Sequence, residues 1–145
     1  MKMPDKIEDI MLAPCGMNCL VCYKHVGIRK YAKPCEGCLK GDLGKPEHCR
    51  KCNIKICAQE KGHVHCFECA EFPCKLIKNL ERSYIKRYGI SLMENSRFAN
   101  EDGIATFMEA DRIKWTCAQC GGAFSLHDGV CSQCGGEVKL NENDQ

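Results

Sequence analysis

Residues 115–136 read WTCAQCGGAFSLHDGVCSQCGG and contain two Cys-x-x-Cys pairs, Cys117/Cys120 and Cys131/Cys134. Each pair is followed by Gly-Gly, and ten residues separate the two pairs. Glycine after the second cysteine allows backbone N–H groups to turn toward the sulfurs, which neutralises part of their negative charge. The segment between the pairs predicts a β-hairpin with Asp128-Gly129 in its turn. The stretch therefore predicts four thiolates that converge on one metal ion.

This pattern resembles a zinc ribbon. Four thiolates at the same spacing also bind a single iron ion, as in rubredoxins, so the spacing favours zinc and leaves iron as the alternative. His127 lies in the turn between the pairs, and we expect it on the surface and not among the ligands.

The whole chain has 145 residues, of which 15 are cysteine, and cysteine at about a tenth of a chain indicates a fold held by cross-links. A secreted disulfide framework is one interpretation. Three observations oppose it: the first residues are charged and lack the apolar run of a signal peptide, the cysteine total is odd, and Cys-x-x-Cys turns aim two sulfurs at one ion. We therefore predict a reduced, cytoplasmic, metal-binding protein. The sequence has no apolar run long enough to cross a membrane.

Eleven more cysteines lie in residues 1–74, and four Cys-x-x-Cys pairs account for eight of them: Cys19/Cys22, Cys35/Cys38, Cys49/Cys52 and Cys66/Cys69. The first two pairs enclose twelve residues and the last two enclose thirteen, which predicts two further four-cysteine sites. The pattern Cys-x2-Cys-x4-Cys also occurs twice, displaced by 17 residues. This repeat predicts that its last cysteines, Cys57 and Cys74, lie close together.

Cys15, Cys57 and Cys74 remain, which is one ligand short of a closed site. The fourth ligand of such a third site is His48, His63, His65 or a water molecule. The alternative is that some of these three are buried thiols without a metal, because free cysteine packs like a small apolar side chain. We predict three or four Zn²⁺ ions per chain, with a [4Fe–4S] cluster in the N-terminal part as the alternative.

Composition divides the chain into a cysteine-rich domain (1–74), a cysteine-free segment (75–114) and the ribbon with a polar tail (115–145). The middle segment predicts helices. Pro73 fits the first helical position and Gly89 a helix end, Ser91 to Glu94 matches a capping box, and Asp102 is a candidate cap. The apolar positions of these helices are Leu76, Ile77, Leu80, Tyr84, Tyr88, Ile104, Phe107, Met108 and Ile113.

The predicted fold is a small, metal-stabilised α+β protein with an irregular multi-knuckle N-terminal domain, a helical middle segment and a C-terminal zinc ribbon. The ribbon carries all four of its ligands locally, so we expect it to fold as a separate unit.

The N-terminal motifs are APCGMNCLVCY, CEGC, CRKCNIKICAQEKG and CFECAEFPCKL. This series resembles an uncharacterised prokaryotic cysteine-rich family, domain of unknown function 3795. The family pattern contains Cys-Gly-x-x-Cys-x-x-Cys, Cys-x-Gly-Cys, Cys-x-x-Cys-x4-Cys-Ala-x-Glu-Lys-Gly, and a final Cys-x-x-Cys-x4-Cys with a Pro-Cys step, which is Pro73-Cys74 here. All eleven cysteines match it over about residues 13–80. The resemblance implies metal binding but no activity, and histidines are not part of the pattern.

Three classes of function are compatible with these features. The first is a non-catalytic zinc module that binds a protein or nucleic-acid partner, because a closed four-thiolate zinc site is redox-silent. A basic cluster supports a nucleic-acid partner: Lys24, Arg29, Lys30, Lys33, Lys40, Lys45, Arg50, Lys51 and Lys55, with Tyr23 and Tyr31. A second basic stripe on the first predicted helix, formed by Lys75, Lys78, Arg82 and Lys86, is expected to be a solvated face.

The second class is an iron–sulfur or rubredoxin-like electron carrier. The third is a metalloenzyme with an open three-cysteine site at Cys15, Cys57 and Cys74, for which Glu60, Glu68 and Glu71 are candidate acid–base residues by proximity in sequence. The sequence contains no nucleophile triad or phosphate-binding glycine loop, so an enzyme is the least favoured of the three.

Overall fold

The computed structural model of the protein describes residues 1–26, 35–40, 49 and 52–137. In these residues the helices are α1 (Tyr23–Val26), α2 (Asn53–Glu60), α3 (Lys75–Tyr88), α4 (Leu92–Asp102) and α5 (Ile104–Lys114). Single 3₁₀ turns occupy Asp9–Met11, Cys19–Val21 and Cys66–Glu68. Two short strands, β1 (Phe124–Ser125) and β2 (Val130–Cys131), form an antiparallel pair. The structure confirms a small helical protein with a minor sheet and a C-terminal cluster of four cysteines.

Helix α3 ends at the predicted residue, but it begins two residues after the predicted one. Gly89 caps it in the left-handed conformation at φ 67°, as expected for a helix-ending glycine. Its first residue is Lys75, because Cys74 has extended backbone angles and serves as the N-cap. The prediction that Pro73 is the first helical residue is therefore wrong. Ile77 is buried in the core as predicted, whereas Leu76 is exposed.

The start of α4 depends on a residue of α3. The Ser91 hydroxyl accepts the backbone N–H of Glu94 at 3.0 Å, which confirms the predicted cap. In a capping box the second carboxylate would be that of Glu94. Here Glu81 takes this part: it accepts the Ser91 hydroxyl at 2.6 Å and the N–H of Leu92 at 2.8 Å, while Glu94 pairs with Arg97. A long-range contact thus replaces the local one that the sequence predicts.

A glycine separates α4 from α5. The prediction that Asp102 caps α5 is wrong: Asp102 is the last residue of α4, and Gly103 at φ 98° is the residue between the helices. Glycine adopts this positive φ without the strain that a side chain would bring. Phe107 and Met108 of α5 are buried as expected, whereas Ile113 is 55% exposed and lies off the core face.

One apolar core joins the start of the chain, the helices and the ribbon. It includes Met11, Leu12 and Leu20, the α5 residues Phe107 and Met108, and Phe124 and Leu126 of the ribbon. Backbone bonds reinforce this packing, since the N–H of Ala123 donates to the Met1 carbonyl (2.7 Å) and the N–H of Leu126 donates to Val21 (3.0 Å). These contacts argue against independent folding of the ribbon. The segment boundaries at residues 74 and 114 stay predictions.

A buried polar contact orients the N-terminal segment on α5. The Asn18 side chain donates to the carboxylate of Asp111 at 3.0 Å, and its own oxygen accepts the N–H of Leu20 at 3.1 Å. Both Asn18 and Asp111 are buried, so these bonds compensate for the loss of water around the two groups. Among the helices described, none has the length and apolar character needed to cross a membrane.

Candidate metal centre

The ribbon hairpin places its two cysteine pairs face to face. Strands β1 and β2 pair Phe124 with Cys131 and Ser125 with Val130, and residues 126–129 form the turn between them. Gly129 has φ 68°, a conformation that favours glycine at a hairpin turn. The predicted hairpin with Asp128-Gly129 in its turn is confirmed.

The four sulfurs of the ribbon converge on one point. The Sγ atoms of Cys117, Cys120, Cys131 and Cys134 all lie within 4.8 Å of one another. The distance is 3.9 Å between Cys117 and Cys134 and 3.5 Å between Cys120 and Cys131. Four thiolates around a metal at about 2.3 Å form a tetrahedron with edges of about 3.8 Å. The cluster therefore fits a single tetrahedral ion.

Backbone N–H groups point at the ribbon sulfurs. The N–H of Gly122 donates to the Cys120 sulfur at 3.4 Å, and that of Gln133 donates to the Cys131 sulfur at 3.3 Å. A Cβ atom at Gly122 would lie 2.4 Å from the Gln133 Cβ and 2.8 Å from the Cys131 sulfur, so only glycine fits there. The predicted role of the glycine after the first pair is confirmed at this position.

The ribbon thiols differ in their tendency to ionise. Burial disfavours the Cys117 thiolate, but N–H bonds from Cys120 and Gln119, together with thiol hydrogen bonds, outweigh it and lower the pKa of Cys117 to about 7. Burial raises the pKa of Cys120 to about 11, and hydrogen bonds with the neighbouring thiols add to this increase. Cys117 is thus ready for a cation at neutral pH, whereas Cys120 loses its proton as the cation binds.

His127 has a structural role that its position in a turn does not reveal. Its Nδ1 atom accepts the backbone N–H of Tyr23 at 3.4 Å, and its Nε2 atom lies 2.9 Å from the Tyr84 hydroxyl. Its ring contacts Tyr23, Tyr84 and Tyr88 edge-on, with centroid distances of 5.1, 5.7 and 5.0 Å. His127 is half-buried, so the expectation of a surface residue is wrong, and it is not one of the residues in the ribbon cluster.

The first two N-terminal pairs come close to each other through Cys19 and Cys38. The backbone N–H of Cys38 donates to the Cys19 sulfur at 3.3 Å, and the N–H of Gly37 donates to the Cys35 sulfur at 3.4 Å. A hydrogen bond with the Cys38 thiol, together with burial, raises the pKa of Cys19 well above its usual range. These contacts bring the two pairs into one neighbourhood.

Cys22 lies at the junction of two short elements. The backbone N–H of Cys22 donates to the Cys19 carbonyl at 3.2 Å and closes a 3₁₀ turn, while its own carbonyl accepts the N–H of Val26 at 3.0 Å in α1. In the described part of the chain, Cys22 does not belong to any set of three metal-binding side chains whose ligand atoms lie within 4.8 Å of one another, and neither do Cys19, Cys35 and Cys38. The half-buried Cys22 thus lies in the predicted neighbourhood without the convergence seen in the ribbon. An ion shared by these four cysteines stays a prediction.

Four of the remaining cysteines line one small cavity: Cys57, Cys66, Cys69 and Cys74. A metal site shared by Cys49, Cys52, Cys66 and Cys69 stays a prediction. The predicted proximity of Cys57 to Cys74 is confirmed. Cys49 and Cys52, which spacing pairs with Cys66 and Cys69, are not in the lining, and neither is Cys15. Burial raises the pKa of Cys15, with Cys38 as the strongest thiol neighbour, followed by Cys52 and Cys66.

The candidate histidines contact other groups. His65 is buried, its Nε2 atom lies 3.1 Å from the Leu12 carbonyl oxygen, and its ring stacks on Phe67. The Nδ1 atom of His63 lies 3.6 Å from a Glu68 oxygen, and His63 also contributes to the wall of the four-cysteine cavity. His48 lies outside the described residues.

Two of the candidate acid–base residues are bonded to neighbouring groups, and the third is exposed to solvent. Glu68 accepts the N–H of Val64 at 3.2 Å, Glu71 pairs with Lys61 at 2.7 Å, and Glu60 is exposed. The ammonium group of Lys61 holds the pKa of Glu71 below its usual range.

Lys61 is a residue that the sequence argument overlooks. Its Nζ atom lies 3.8 Å from the Cys69 sulfur as well as 2.7 Å from Glu71. The signal was available, because Lys61 belongs to the Glu-Lys-Gly part of the N-terminal motif.

Comparison with protein-family models yields a match to the family described as protein of unknown function (DUF3795), over residues 11–79. Neither a curated protein nor a solved structure matches the chain. The matched segment contains all eleven N-terminal cysteines and ends before the ribbon. The resemblance found in the motifs is confirmed, because residues 11–79 match the model of this uncharacterised cysteine-rich family.

Proposed function

We propose that the protein is a non-catalytic zinc-binding module in which Cys117, Cys120, Cys131 and Cys134 hold one Zn²⁺. The observation that carries the proposal is the convergence of these four sulfurs within 4.8 Å, at the spacing of a tetrahedral ion. Zinc would supply a redox-silent cross-link here, and four thiolates leave no ligand position open to a substrate.

The position of the ribbon explains why such a cross-link is useful. Cys117 and Cys131 are buried in the core that the ribbon shares with the N-terminal segment and α5. An ion that fixes these two cysteines therefore also fixes Phe124 and Leu126 against that core. Binding free energy for a structural zinc ion is folding free energy, because the site does not exist in the unfolded chain.

We further propose that the module recognises a protein partner. The basic stripe of α3, formed by Lys75, Lys78, Arg82 and Lys86, is exposed. The tyrosines on the same helix, Tyr84 and Tyr88, are half-buried against His127 and are not free to stack on bases. In the earlier basic cluster Lys40 is exposed and Lys55 is buried, whereas Arg29, Lys30, Tyr31, Lys33, Lys45, Arg50 and Lys51 lie outside the described residues.

Metal analysis tests the zinc proposal. Elemental analysis of purified protein should give zinc, and Cys131→Ser should lower the zinc content by one ion per chain. Gln133→Ala is the matched control, because its exposed side chain is adjacent to the ligand and its backbone N–H is kept. Iron at the ribbon, visible as a red protein, would favour the rubredoxin-like alternative, and four irons per chain would favour a [4Fe–4S] cluster. Cobalt titration should give the intense thiolate charge-transfer bands of a tetrahedral site.

A binding measurement tests the partner class. Fluorescence anisotropy with labelled single-stranded oligonucleotides should give no salt-sensitive binding at physiological ionic strength. The tyrosines beside the basic stripe pack against His127 and cannot stack on bases, and contacts to phosphate alone weaken with salt. Tight binding that Lys78→Glu and Arg82→Glu abolish would instead identify nucleic acid as the partner.

A further inference from the structure

A small cavity outside the ribbon is walled by four cysteine thiols. Its volume is about 30 Å³, and the thiols belong to Cys57, Cys66, Cys69 and Cys74. A space of this size admits a single ion or a few water molecules and is too small for an organic ligand. We propose that these four cysteines form a second metal site, which binds one tetrahedral divalent ion of the Zn²⁺ type.

Separate elements place the four sulfurs around the cavity. Cys57 lies on α2, and Cys74 is the N-cap of α3, a helix that packs against α2. Cys66 begins a 3₁₀ turn and Cys69 ends it, with the N–H of Cys69 bonded to the Cys66 carbonyl at 3.0 Å. The turn is anchored in its place, because the N–H of Cys66 donates to the Pro14 carbonyl at 2.9 Å. Helix packing and backbone hydrogen bonds therefore hold the four cysteines around the cavity.

Positive charge next to the cavity favours thiolate ligands. The Lys61 ammonium group lies 3.8 Å from the Cys69 sulfur, and its bond to Glu71 holds it in position. The N-terminal end of α3, which carries a partial positive charge, lies at Cys74. Four thiolates on a divalent ion carry a net charge of about −2, and groups that donate to the sulfurs stabilise such a site.

The chemistry of the four side chains indicates the class of ion. Soft divalent ions are the cations that thiolates prefer, and four thiolates suit tetrahedral coordination.

The second site is less pre-organised than the ribbon. Among the residues described, only the ribbon brings three or more metal-binding side chains within 4.8 Å of one another. Binding at the second site thus requires its thiol side chains to rotate toward the cavity centre, which costs free energy that the ribbon does not expend. We therefore expect the ribbon to hold its ion more tightly.

Serine variants in the full chain test whether one ion is shared. Cys57→Ser and Cys74→Ser should each lower the zinc content by one ion per chain, and the double variant should lose the same single ion. A double variant that loses two ions would place the two cysteines in different sites. Variants that keep all their zinc would show that the thiols are only packed. Either result overturns the proposal.

Cys15→Ser is the matched control, because Cys15 is a thiol outside the cavity lining. The Cys15→Ser/Cys74→Ser double variant should lose as much zinc as the two single variants lose in total, whether or not Cys15→Ser alone loses any. If Cys15 and Cys74 lose one shared ion, the site is the three-cysteine one that spacing predicts, and our grouping is wrong.

A measurement on the unaltered, zinc-loaded protein covers the case of variants that fail to fold. Increasing chelator concentrations remove zinc, N-ethylmaleimide traps the freed thiols, and mass spectrometry locates them. Cys57, Cys66, Cys69 and Cys74 should become reactive together, at a lower chelator concentration than the ribbon cysteines. Reaction one at a time, or reaction before any chelator is added, contradicts the second site. The ribbon cysteines are read in the same spectra, so failure of the ribbon proposal is seen separately.

Discussion

The Nε2 atom of His127 lies 2.9 Å from the phenolic oxygen of Tyr84, and this contact joins the ribbon turn to helix α3. Because Nδ1 accepts the N–H of Tyr23, the neutral ring carries its proton on Nε2 and donates it to Tyr84. Three parts of the chain that are far apart in sequence therefore meet at one imidazole.

Removing this contact should lower stability without removing metal. Tyr84→Phe deletes one hydroxyl and should reduce the free energy of unfolding by about 1 kcal/mol, while His127→Ala should cost about 1–3 kcal/mol because it leaves two partners unsatisfied. Denaturant unfolding of the zinc-loaded protein measures both. Zinc content should stay at the wild-type value, and its loss would mean that His127 supports the metal site directly.

Glu81 should be more important for stability than Glu94, the carboxylate that the sequence pattern selects. Glu81→Ala leaves the Ser91 hydroxyl and the N–H groups of Leu92 and Met93 without their acceptor, which should cost about 1–3 kcal/mol. Glu94→Ala, the matched control, removes only an exposed ion pair with Arg97 and should have a much smaller effect. Thermal unfolding of the two variants compares them, and equal effects would contradict the contribution of Glu81.

Gly122→Ala should damage the ribbon site. Its new methyl group would lie 2.8 Å from the Cys131 sulfur, so the hairpin must open before the ligands can close on an ion. We expect zinc affinity to fall by about tenfold or more, which corresponds to about 1.4 kcal/mol. Competition with a chromophoric chelator measures it. Gly135→Ala is the control: its Cβ meets nothing within 4 Å, so strain at φ 72° should lower stability with a smaller effect on affinity.

The ribbon thiols make zinc binding pH-dependent in a defined direction. Above pH 7 the Cys117 thiol is mostly ionised and releases no proton to the solvent when zinc binds, whereas Cys120, with a pKa of about 11, releases one. As pH falls through 7, Cys117 becomes protonated and must also lose its proton, so affinity drops more steeply. Calorimetry of Cys57→Ser/Cys74→Ser protein in buffers of different ionisation heat should show about one additional proton released per zinc below pH 7. A proton count that is constant between pH 6 and 8 would contradict this order of ionisation.

A chain shortened to residues 1–114 should lose one zinc ion and also become less stable. It lacks Phe124 and Leu126, which are buried in the common core, and the backbone partners of Met1 and Met3. Denaturant unfolding and binding of a hydrophobic dye measure the exposed core. Cys134→Ser in the full chain is the control for loss of zinc alone. Unchanged stability of the short chain would support the independent folding that local ligands predict.

The sequence predicts the ribbon well because all of its determinants are local. Two cysteine pairs, the glycines that follow them and Asp128-Gly129 lie within a few residues of the atoms that they contact. The ends of helices follow the same logic, since Gly89 and Ser91 act on their immediate neighbours. The resemblance to the family was also visible, because its motifs fix both residue type and spacing.

Contacts between segments that are distant in sequence could not be predicted from local sequence patterns. Pair spacing allows Cys66/Cys69 to join several partners, and the packing of α2 against α3 brings Cys57 and Cys74 to the cavity that Cys66 and Cys69 line. The contact of Glu81 with Ser91 and the contact of His127 with Tyr84 also join segments that are distant in sequence. In each case a residue close in sequence and a residue distant in sequence could make the contact, and only the folded structure shows which one does.

The bond between the Leu126 N–H and the Val21 carbonyl, 3.0 Å long, joins the ribbon to a segment that is far away in sequence. Such a contact forms only when the intervening chain closes into a loop, and closing a long loop costs conformational entropy. Folds whose contacts are non-local form more slowly than folds whose contacts are local. We therefore expect the docking of the ribbon on the N-terminal segment to be a slow step of folding.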